Sequence, residues 1–172
     1  MPPPLRAAAS HALDYRPCGA GDFDFIEALY VSTRDAELAL SGWPEAEKNA
    51  FLTQQHRAQH HHYQAHYPNA ERLIIERDGA PIGRLYTDAW PLELRIVDIS
   101  LVPAARGQGI GEAILRDVIA WAGDQARGVS IHVEKFNPAR RLYRRLGFVV
   151  VEDKGVYELK ERGTPRAAPP TA

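Results

Sequence analysis

The sequence predicts an α/β (α+β) domain with the element order β-α-α-β-β-β-α-β-α-β-β. Three observations predict it. An aliphatic run from Leu94 to Val102 passes through a loop with three glycines into a helical pattern. A second strand-like run, Val129 to Glu134, follows that helix, and a strand-helix-strand unit predicts a right-handed parallel crossover. Asp78-Gly79 lies between two further strand-like runs, which is typical of an antiparallel hairpin.

The first elements of the chain are a short strand and two helices. Leu13 to Pro17 is the strand, and Asp22 is placed to cap a helix whose apolar residues recur at helical spacing. Pro44 stands at the start of a longer helix that ends near Tyr67. The inward stripe of this second helix begins apolar and turns polar, which indicates that part of it lines a cavity.

Histidines are concentrated on the second helix. It carries five of the seven histidines: His56, His60, His61, His62 and His66. No carboxylate or cysteine follows them in a recognisable metal pattern, so metal binding is the weakest interpretation. The others are a solvated face and contacts to an acceptor substrate, for which Gln59 and His62 are the candidates.

The second half of the chain completes the pattern. The hairpin strands are Glu71 to Arg77 and Ala80 to Thr87. After the second parallel strand, Asn137 and Pro138 are placed to cap and begin a short helix that Gly147 ends. A final hairpin then closes the sheet.

Composition indicates one domain with two tails. The chain has 172 residues, of which 45% are hydrophobic and 25% charged, as in globular proteins. We expect a single domain over residues 13–161. Residues 1–12 and 162–172 are rich in proline and alanine, which predicts flexible tails.

Charge and cysteine content exclude several classes of protein. A net charge of −1 and a pI near 6.7 give no electrostatic case for nucleic acid or an anionic membrane. The single cysteine, Cys18, forms neither an intrachain disulfide nor a cysteine zinc site. No apolar run reaches the roughly 20 residues of a membrane span, and no signal peptide is recognised. We therefore expect a cytoplasmic protein with a small ligand and no metal.

The glycine loop is a candidate anion site. The first N–H groups of a helix lack intrahelical partners and carry the positive end of the helix dipole, so they attract phosphate. Gly107, Gly109 and Gly111 would let a diphosphate approach them closely, and Arg106 could add a positive charge.

A carboxylate interrupts the central strand. Asp98 lies within the aliphatic run, where an unpaired charge is costly unless it serves a site or a hydrogen bond. Two interpretations stay open, a role in binding or deprotonating an acceptor and a structural hydrogen bond. Glu134, at the end of the next strand, is the second candidate for the acceptor side.

Two motifs carry a resemblance to a known family. The first is Arg106-Gly107-Gln108-Gly109-Ile110-Gly111 after Leu101-Val102-Pro103, and the second runs from Asn137 through Leu142-Tyr143 to Gly147-Phe148. The pair, in this order and within this element pattern, resembles the GCN5-related N-acetyltransferase (GNAT) superfamily over about residues 13–161. A dinucleotide-binding fold would place its glycines early in the chain and in a different spacing.

The resemblance implies a fold and a donor substrate. The implied fold has three layers and a mixed, mostly antiparallel seven-stranded sheet, in which the fourth and fifth strands are parallel and splay apart. Acetyl-CoA would be the co-substrate, and the pantetheine arm would lie in the gap. The residues implied to bind it are Leu101, Val102, Arg106, Gly107, Gln108, Gly109, Ile110, Gly111 and Asn137.

The resemblance also implies an activity. Tyr143 would be the general acid that protonates the departing thiolate. The resemblance does not fix the base, for which Asp98 is the candidate from its place in the strand and Glu134 the second. The expected function is transfer of an acetyl group to a primary amine of a small molecule or peptide, by direct attack in a ternary complex. The alternative is a catalytically silent acyl-CoA-binding sensor or interaction module. Family members are often dimers, which leaves a homodimer open.

Overall fold

The computed structural model describes residues 1–163, and its elements follow the predicted order. The strands are β1 (Leu13–Pro17), β2 (Glu71–Arg77), β3 (Ala80–Ala89), β4 (Glu93–Leu101), β5 (Gly128–Glu134), β6 (Val149–Lys154) and β7 (Tyr157–Arg162). The α-helices are α1 (Phe23–Ala39), α2 (Glu45–His66), α3 (Ile110–Asp124) and α4 (Arg140–Arg145). Short 3-10 helices lie at Ala7–His11, Ala20–Asp22 and Pro103–Ala105.

The strands form a single sheet in the order β1-β2-β3-β4-β5-β7-β6. The β4/β5 pair is parallel and the other neighbouring pairs are antiparallel. The chain makes the parallel pair by crossing over through α3. The predicted fold class, a mixed and mostly antiparallel seven-stranded sheet, is therefore confirmed.

The main core lies between the sheet and α3. Ile110, Ile114 and Val118 recur along one face of α3 and are no more than 1% exposed. They pack in one cluster with Leu94 and Ile96 of β4 and with apolar residues of β5. Burying each such side chain contributes roughly 1.5–3 kcal/mol, so this layer holds the parallel crossover in place.

The opposite face of the sheet is covered by α1 and α2. Ile26 and Leu29 of α1 and Leu52 of α2 are buried. The strands, however, present charged side chains to this layer, among them the buried Arg84 of β3. This polar face holds the candidate site described below.

The N-terminal segment differs from its prediction as a flexible tail. The backbone N–H groups of Arg6, Ala7 and Ala8 donate to the carboxylate of Asp117 on α3, at 2.9, 2.6 and 3.0 Å. Asp117 is only 2% exposed. The composition of residues 1–12 favoured disorder, but a buried carboxylate more than 100 positions away satisfies the backbone of this segment. Of the other predicted tail, residues 164–172 lie outside the described residues.

The predicted cap of α1 is also wrong. Asp22 precedes α1 but makes no side-chain bond to its N-terminus. Its carboxylate instead accepts two bonds from Arg16, at 2.8 and 2.7 Å, and one from the N–H of Gly19 at 2.8 Å. These bonds hold the pKa of Asp22 at about 2. Across residues 1–163, no helix is both long and apolar enough to span a membrane.

Candidate functional site

The two parallel strands separate towards their carboxyl ends. β4 and β5 pair from Glu93↔Gly128 to Ile96↔Ile131, and beyond this point no pairing between them is recorded. β4 continues to Leu101 and β5 to Glu134. We call this opening the fork. It leaves backbone groups of two central strands without a partner strand, which is the splay that the family resemblance implied.

A β-bulge marks the start of the fork. On β3, Tyr86 pairs with Asp98 and Thr87 pairs with Ile96, so Val97 is the extra residue on β4. A bulge bends its strand and increases its twist, and this one turns the end of β4 away from β5. It also keeps Asp98 on the sheet face that α1 and α2 cover.

The glycine loop follows the β4 arm of the fork. Gly107 and Gly109 have φ angles of +70° and +79°, which strongly favour glycine. A Cβ at either position would meet no atom within 4 Å, so both face open space. The N–H of Ala113 donates to the carbonyl of Gly109 at 3.0 Å, which leaves the preceding N–H groups of α3 without helical acceptors. The arrangement suits an anion.

The side chain of Arg106 is engaged within the protein, although the sequence suggested it as a positive charge for the anion site. Its Nε donates to the carbonyl oxygen of Leu101 at 2.8 Å, and its guanidinium also contacts the carbonyl oxygen and Oγ of Ser32 on α1, at 3.4 and 2.9 Å. The side chain therefore links the end of β4 to α1. The backbone N–H of Arg106 donates to the carbonyl oxygen of Pro103 at 3.2 Å, so it is also occupied within the chain.

Asp98 is surrounded by hydrogen-bond donors. Its Oδ2 accepts from the Tyr63 hydroxyl of α2 at 2.9 Å and from Arg84 at 2.8 Å, and its Oδ1 accepts from Ser100 at 2.6 Å. Arg84 also donates to Gln59 at 2.9 Å. Burial raises the pKa of Tyr63 well above its ordinary value, and the negative charge of Asp98 raises it further. Asp98 thus has the contacts of a structural anchor, because three side-chain donors are directed at its two oxygens.

Glu134 ends the β5 arm on the same face. Both of its carboxylate oxygens are bound by the guanidinium of Arg34 on α1, one of them at 2.8 Å. The Tyr157 hydroxyl donates to Oε1 at 3.2 Å. The bonds from Arg34 lower the pKa of Glu134, which keeps the carboxylate ionised and makes it a weaker base.

Tyr143 lies on the other side of the fork. It is 5% exposed and packs edge-on against Phe148, with ring centroids 5.5 Å apart. Burial raises its pKa, and the negative charge of Asp98 raises it further. The phenol proton is therefore firmly held at neutral pH.

A sequence model described as the acetyltransferase (GNAT) family matches residues 36–148, which is more than half of the chain. The chain belongs to the GNAT acetyltransferase family.

Two relatives have assigned names. A Bacillus subtilis (strain 168) protein with the provisional name ribosomal protein bS18-alanine N-acetyltransferase is 31% identical over 107 residues, which span 60% of this chain and 70% of the relative. The streptothricin acetyltransferase of Streptomyces lavendulae is 39% identical over 80 residues, 44% of this chain and 42% of that enzyme. The chain thus spans less than half of the second relative.

Solved structures show the same fold. The PaiA N-acetyltransferase of Thermoplasma acidophilum, crystallised in complex with coenzyme A, superposes with a TM-score of 0.66. The match covers 88% of this chain and 99% of that one at 14% sequence identity. At this identity the likeness supports the GNAT fold and not a shared substrate.

The remaining predicted site residues of this GNAT chain are dispersed. Gln59 is half-buried and bound to Arg84, so it belongs to the Asp98 network. His62 is exposed and stacks on His66, with ring centroids 4.1 Å apart. Asn137 is exposed, and its Oδ1 accepts from the N–H of Ala139 at 2.8 Å. Its side chain stabilises the turn before α4. The prediction that Asn137 caps this helix and Pro138 begins it is wrong, because α4 begins at Arg140 with Ala139 as its N-cap.

One histidine of α2 is a core residue. His56 is 0% exposed and lies between Phe23 and Tyr30 of α1, with centroid distances of 5.4 and 5.5 Å. Its Nδ1 is 3.4 Å from Glu27 Oε2, and its Nε2 has no hydrogen-bond partner among the described residues. The interpretation of the histidines as a solvated face does not hold for His56. Within residues 1–163 no group of three or more His, Cys, Asp or Glu side chains could hold a metal ion.

Several residues of the site were not recognised from the sequence. Arg34, Tyr63 and Arg84 are ordinary members of amphipathic elements, and only the folded chain brings them to the two carboxylates. Gly83 pairs with Leu101, and a Cβ there would lie 2.4 Å from the carbonyl oxygen of Ser100. A glycine inside a strand indicates that another backbone or a ligand approaches closely, so the sequence itself could have identified Gly83.

Proposed function

We propose that the protein transfers an acetyl group from acetyl-CoA to a primary amine by direct attack in a ternary complex. The observation that carries the proposal is the fork between β4 and β5, with the glycine loop beside one arm and a carboxylate on each arm. The fork offers unpaired strand backbone to an extended arm. The loop offers N–H groups to a diphosphate.

The glycine loop fits the donor chemically. The N–H of Arg106 donates to the carbonyl oxygen of Pro103, so the loop would bind the diphosphate through the N–H groups of residues 107–111, where Gly107 and Gly109 face open space. The backbone of Leu101 and Val102 would bind the arm that carries the acetyl group. Asn137 would contact the same arm from the turn before α4. Acetyl-CoA supplies the thioester, and the protein supplies orientation and charge.

The acceptor would approach from the face that α1 and α2 cover. Asp98 and Glu134 lie on this face, one on each arm, and their negative charges favour an incoming ammonium ion. The ammonium ion must lose one proton before its nitrogen can attack the carbonyl carbon. Because both carboxylates are bound by arginine, we propose that they stay ionised and hold the ammonium ion while water takes this proton.

Tyr143 completes the reaction from the opposite side. As the carbon–sulfur bond breaks, the electron pair goes to sulfur, and Tyr143 gives its proton to the thiolate. The extra proton on the new amide nitrogen leaves to solvent, from which Tyr143 is reprotonated. The raised pKa of Tyr143 keeps the proton available until a strong base forms beside it.

The names of the relatives suggest two kinds of acceptor. One carries the provisional name of an N-acetyltransferase for an alanine of a ribosomal protein, and the other is named for streptothricin. We propose a primary amine of a peptide or small molecule, with Gln59 and His62 on the acceptor side.

The test is thiol release from acetyl-CoA with a panel of peptide and small-molecule amines. Tyr143→Phe should lower kcat by about 10²–10⁴-fold, the range for general acid catalysis, with nearly unchanged affinity for acetyl-CoA. Full activity of this variant would remove the acid role. Acetyl-CoA binding without thiol release for any amine would instead identify a silent acyl-CoA sensor.

A further inference from the structure

Two residues of α1, Ser32 and Arg34, link this helix to both arms of the fork. Ser32 is bound by Arg106, whose Nε also holds the carbonyl oxygen of Leu101 at the end of β4. Arg34 binds Glu134 at the end of β5. Helix α1 therefore connects the ends of β4 and β5, on the side from which the acceptor would come.

Of the two linking residues, Arg34 is held by more contacts. Its side chain is 24% exposed, its guanidinium lies 5.7 Å from the ring centroid of Tyr30, and it also pairs with Glu37 at 3.0 Å. Two parallel N–H···O bonds to one carboxylate fix the orientation of both groups, which a lysine could not reproduce.

Glu134 retains capacity for a further donor. An ionised carboxylate has about four acceptor positions. Among the described residues, Arg34 donates to two of these positions and Tyr157 to one. The side chain of Glu134 is 22% exposed, so a fourth donor can reach it.

We propose that Arg34 is a positioning residue for the acceptor amine: it holds α1 across the fork and keeps the carboxylate of Glu134 oriented at the end of β5 to receive the ammonium ion. This inference rests on the proposed function. Arg34 acts through Glu134, since its hydrogen bonds among the described residues go to Glu134 and Glu37.

The charged and titratable groups around Glu134 determine how strongly Arg34 affects the pKa of this carboxyl. From α1 it faces Arg34, with Glu37 behind that guanidinium, and from β7 it faces the Tyr157 hydroxyl. On its own strand, His132 is two residues away on the same face and is bound to Arg95. Arg34 is thus the cation that directly contacts Glu134, and its removal should raise the pKa of this carboxyl.

The experiment compares Arg34→Gln, Arg34→Lys and Glu134→Gln by the pH profile of kcat/KM for the amine at saturating acetyl-CoA. Arg34→Gln should move the acidic limb to higher pH and raise the amine KM, with an unchanged KM for acetyl-CoA. Arg34→Lys should keep the limb near that of the wild type, because the charge remains, and raise the amine KM less. Glu134→Gln should remove this limb.

Arg16→Gln is the matched control. It removes another arginine with two bonds to one carboxylate, that of Asp22 before α1, away from the fork. It should lower stability without moving the limb. An acidic limb that stays in place in Arg34→Gln, or equal changes in both KM values, would show that Arg34 only supports the fold.

A binding measurement separates this inference from the proposed function. Calorimetry with a tetrapeptide that begins with alanine, in the presence of coenzyme A, reports acceptor binding without turnover. Weaker binding to Arg34→Gln than to Arg16→Gln supports the inference even if no amine is acetylated. Equal binding to both variants overturns it, whatever the activity of the wild-type protein.

Discussion

The Tyr63 hydroxyl donates to Asp98 Oδ2 at 2.9 Å and joins α2 directly to the central strand at the fork. The same oxygen accepts from Arg84. Asp98 thus balances a guanidinium that is only 3% exposed, at the point where the sheet opens. The side of the fork that α1 and α2 cover therefore depends on a buried ion pair.

The first prediction ranks two changes in this network. Tyr63→Phe removes one hydrogen bond to a charged group and should lower the free energy of unfolding by about 1.5–3 kcal/mol. Asp98→Asn leaves Arg84 as a buried charge without its counter-ion and should cost about 3–5 kcal/mol. Urea unfolding measures both. Glu152→Gln, which breaks an exposed pair with Lys154, is the control and should change little. A smaller loss for Asp98→Asn than for Tyr63→Phe would contradict this account.

The second prediction concerns the loop. Gly109→Val forces a β-branched residue into a φ of +79° and places its side chain in the open space in front of the loop. We expect it to abolish the increase in Tm that acetyl-CoA gives the wild-type protein. At 100 times its Kd a ligand stabilises the folded state by about 2.7 kcal/mol, so the loss is measurable by thermal unfolding.

Gly123→Ala is the matched control for this change. Gly123 lies near the end of α3, and a Cβ there meets nothing within 4 Å. Alanine in a helix should raise stability by about 0.5–1 kcal/mol and leave the response to acetyl-CoA intact. A normal acetyl-CoA shift in Gly109→Val would count against the assignment of the loop to the diphosphate.

The sequence predicted the features that depend on local pattern. The β4-loop-α3 unit follows from an apolar run, glycines and helical spacing within some 30 residues. Asp98 was recognised because a charge interrupts an aliphatic strand. Its partners could not be predicted, because Tyr63 is 35 positions away and nothing in its own surroundings distinguishes it from a core tyrosine.

Contacts between distant positions also explain why the structure assigns Glu134 and the N-terminal segment differently from the sequence. Arg34 and Glu134 are 100 positions apart, so the loss of basicity at Glu134 became visible only in the folded chain. The N-terminal segment was predicted as disordered from its own composition. Its order comes from Asp117, which supplies the hydrogen-bond acceptors that the segment lacks.

The third prediction tests the close approach of β3 to the end of β4. Gly83→Ala would place a Cβ 2.4 Å from the carbonyl oxygen of Ser100 and 2.8 Å from Leu101 Cδ2. Because the nearest atom belongs to the backbone, β4 must shift, and we expect a loss of about 1–3 kcal/mol in unfolding free energy. The affinity for acetyl-CoA should fall as well, since Leu101 ends the β4 arm. Gly21→Ala, where a Cβ has open space, should leave both quantities near their wild-type values.

The last prediction concerns pH and His56. Burial lowers the pKa of this histidine in the folded protein, so the unfolded chain takes up a proton first as the pH falls below about 6.5. The stability contributed by the neutral ring is complete above that pH. It should be lost at up to about 1.4 kcal/mol per pH unit below it, until the folded-state pKa is reached.

Chemical unfolding between pH 7 and 5 measures the slope. His56→Phe should flatten it, and His61→Gln, an exposed change on the same helix, should keep the wild-type slope. An equal slope in wild type and His56→Phe would mean that the α1–α2 contact is not the source of the acid sensitivity.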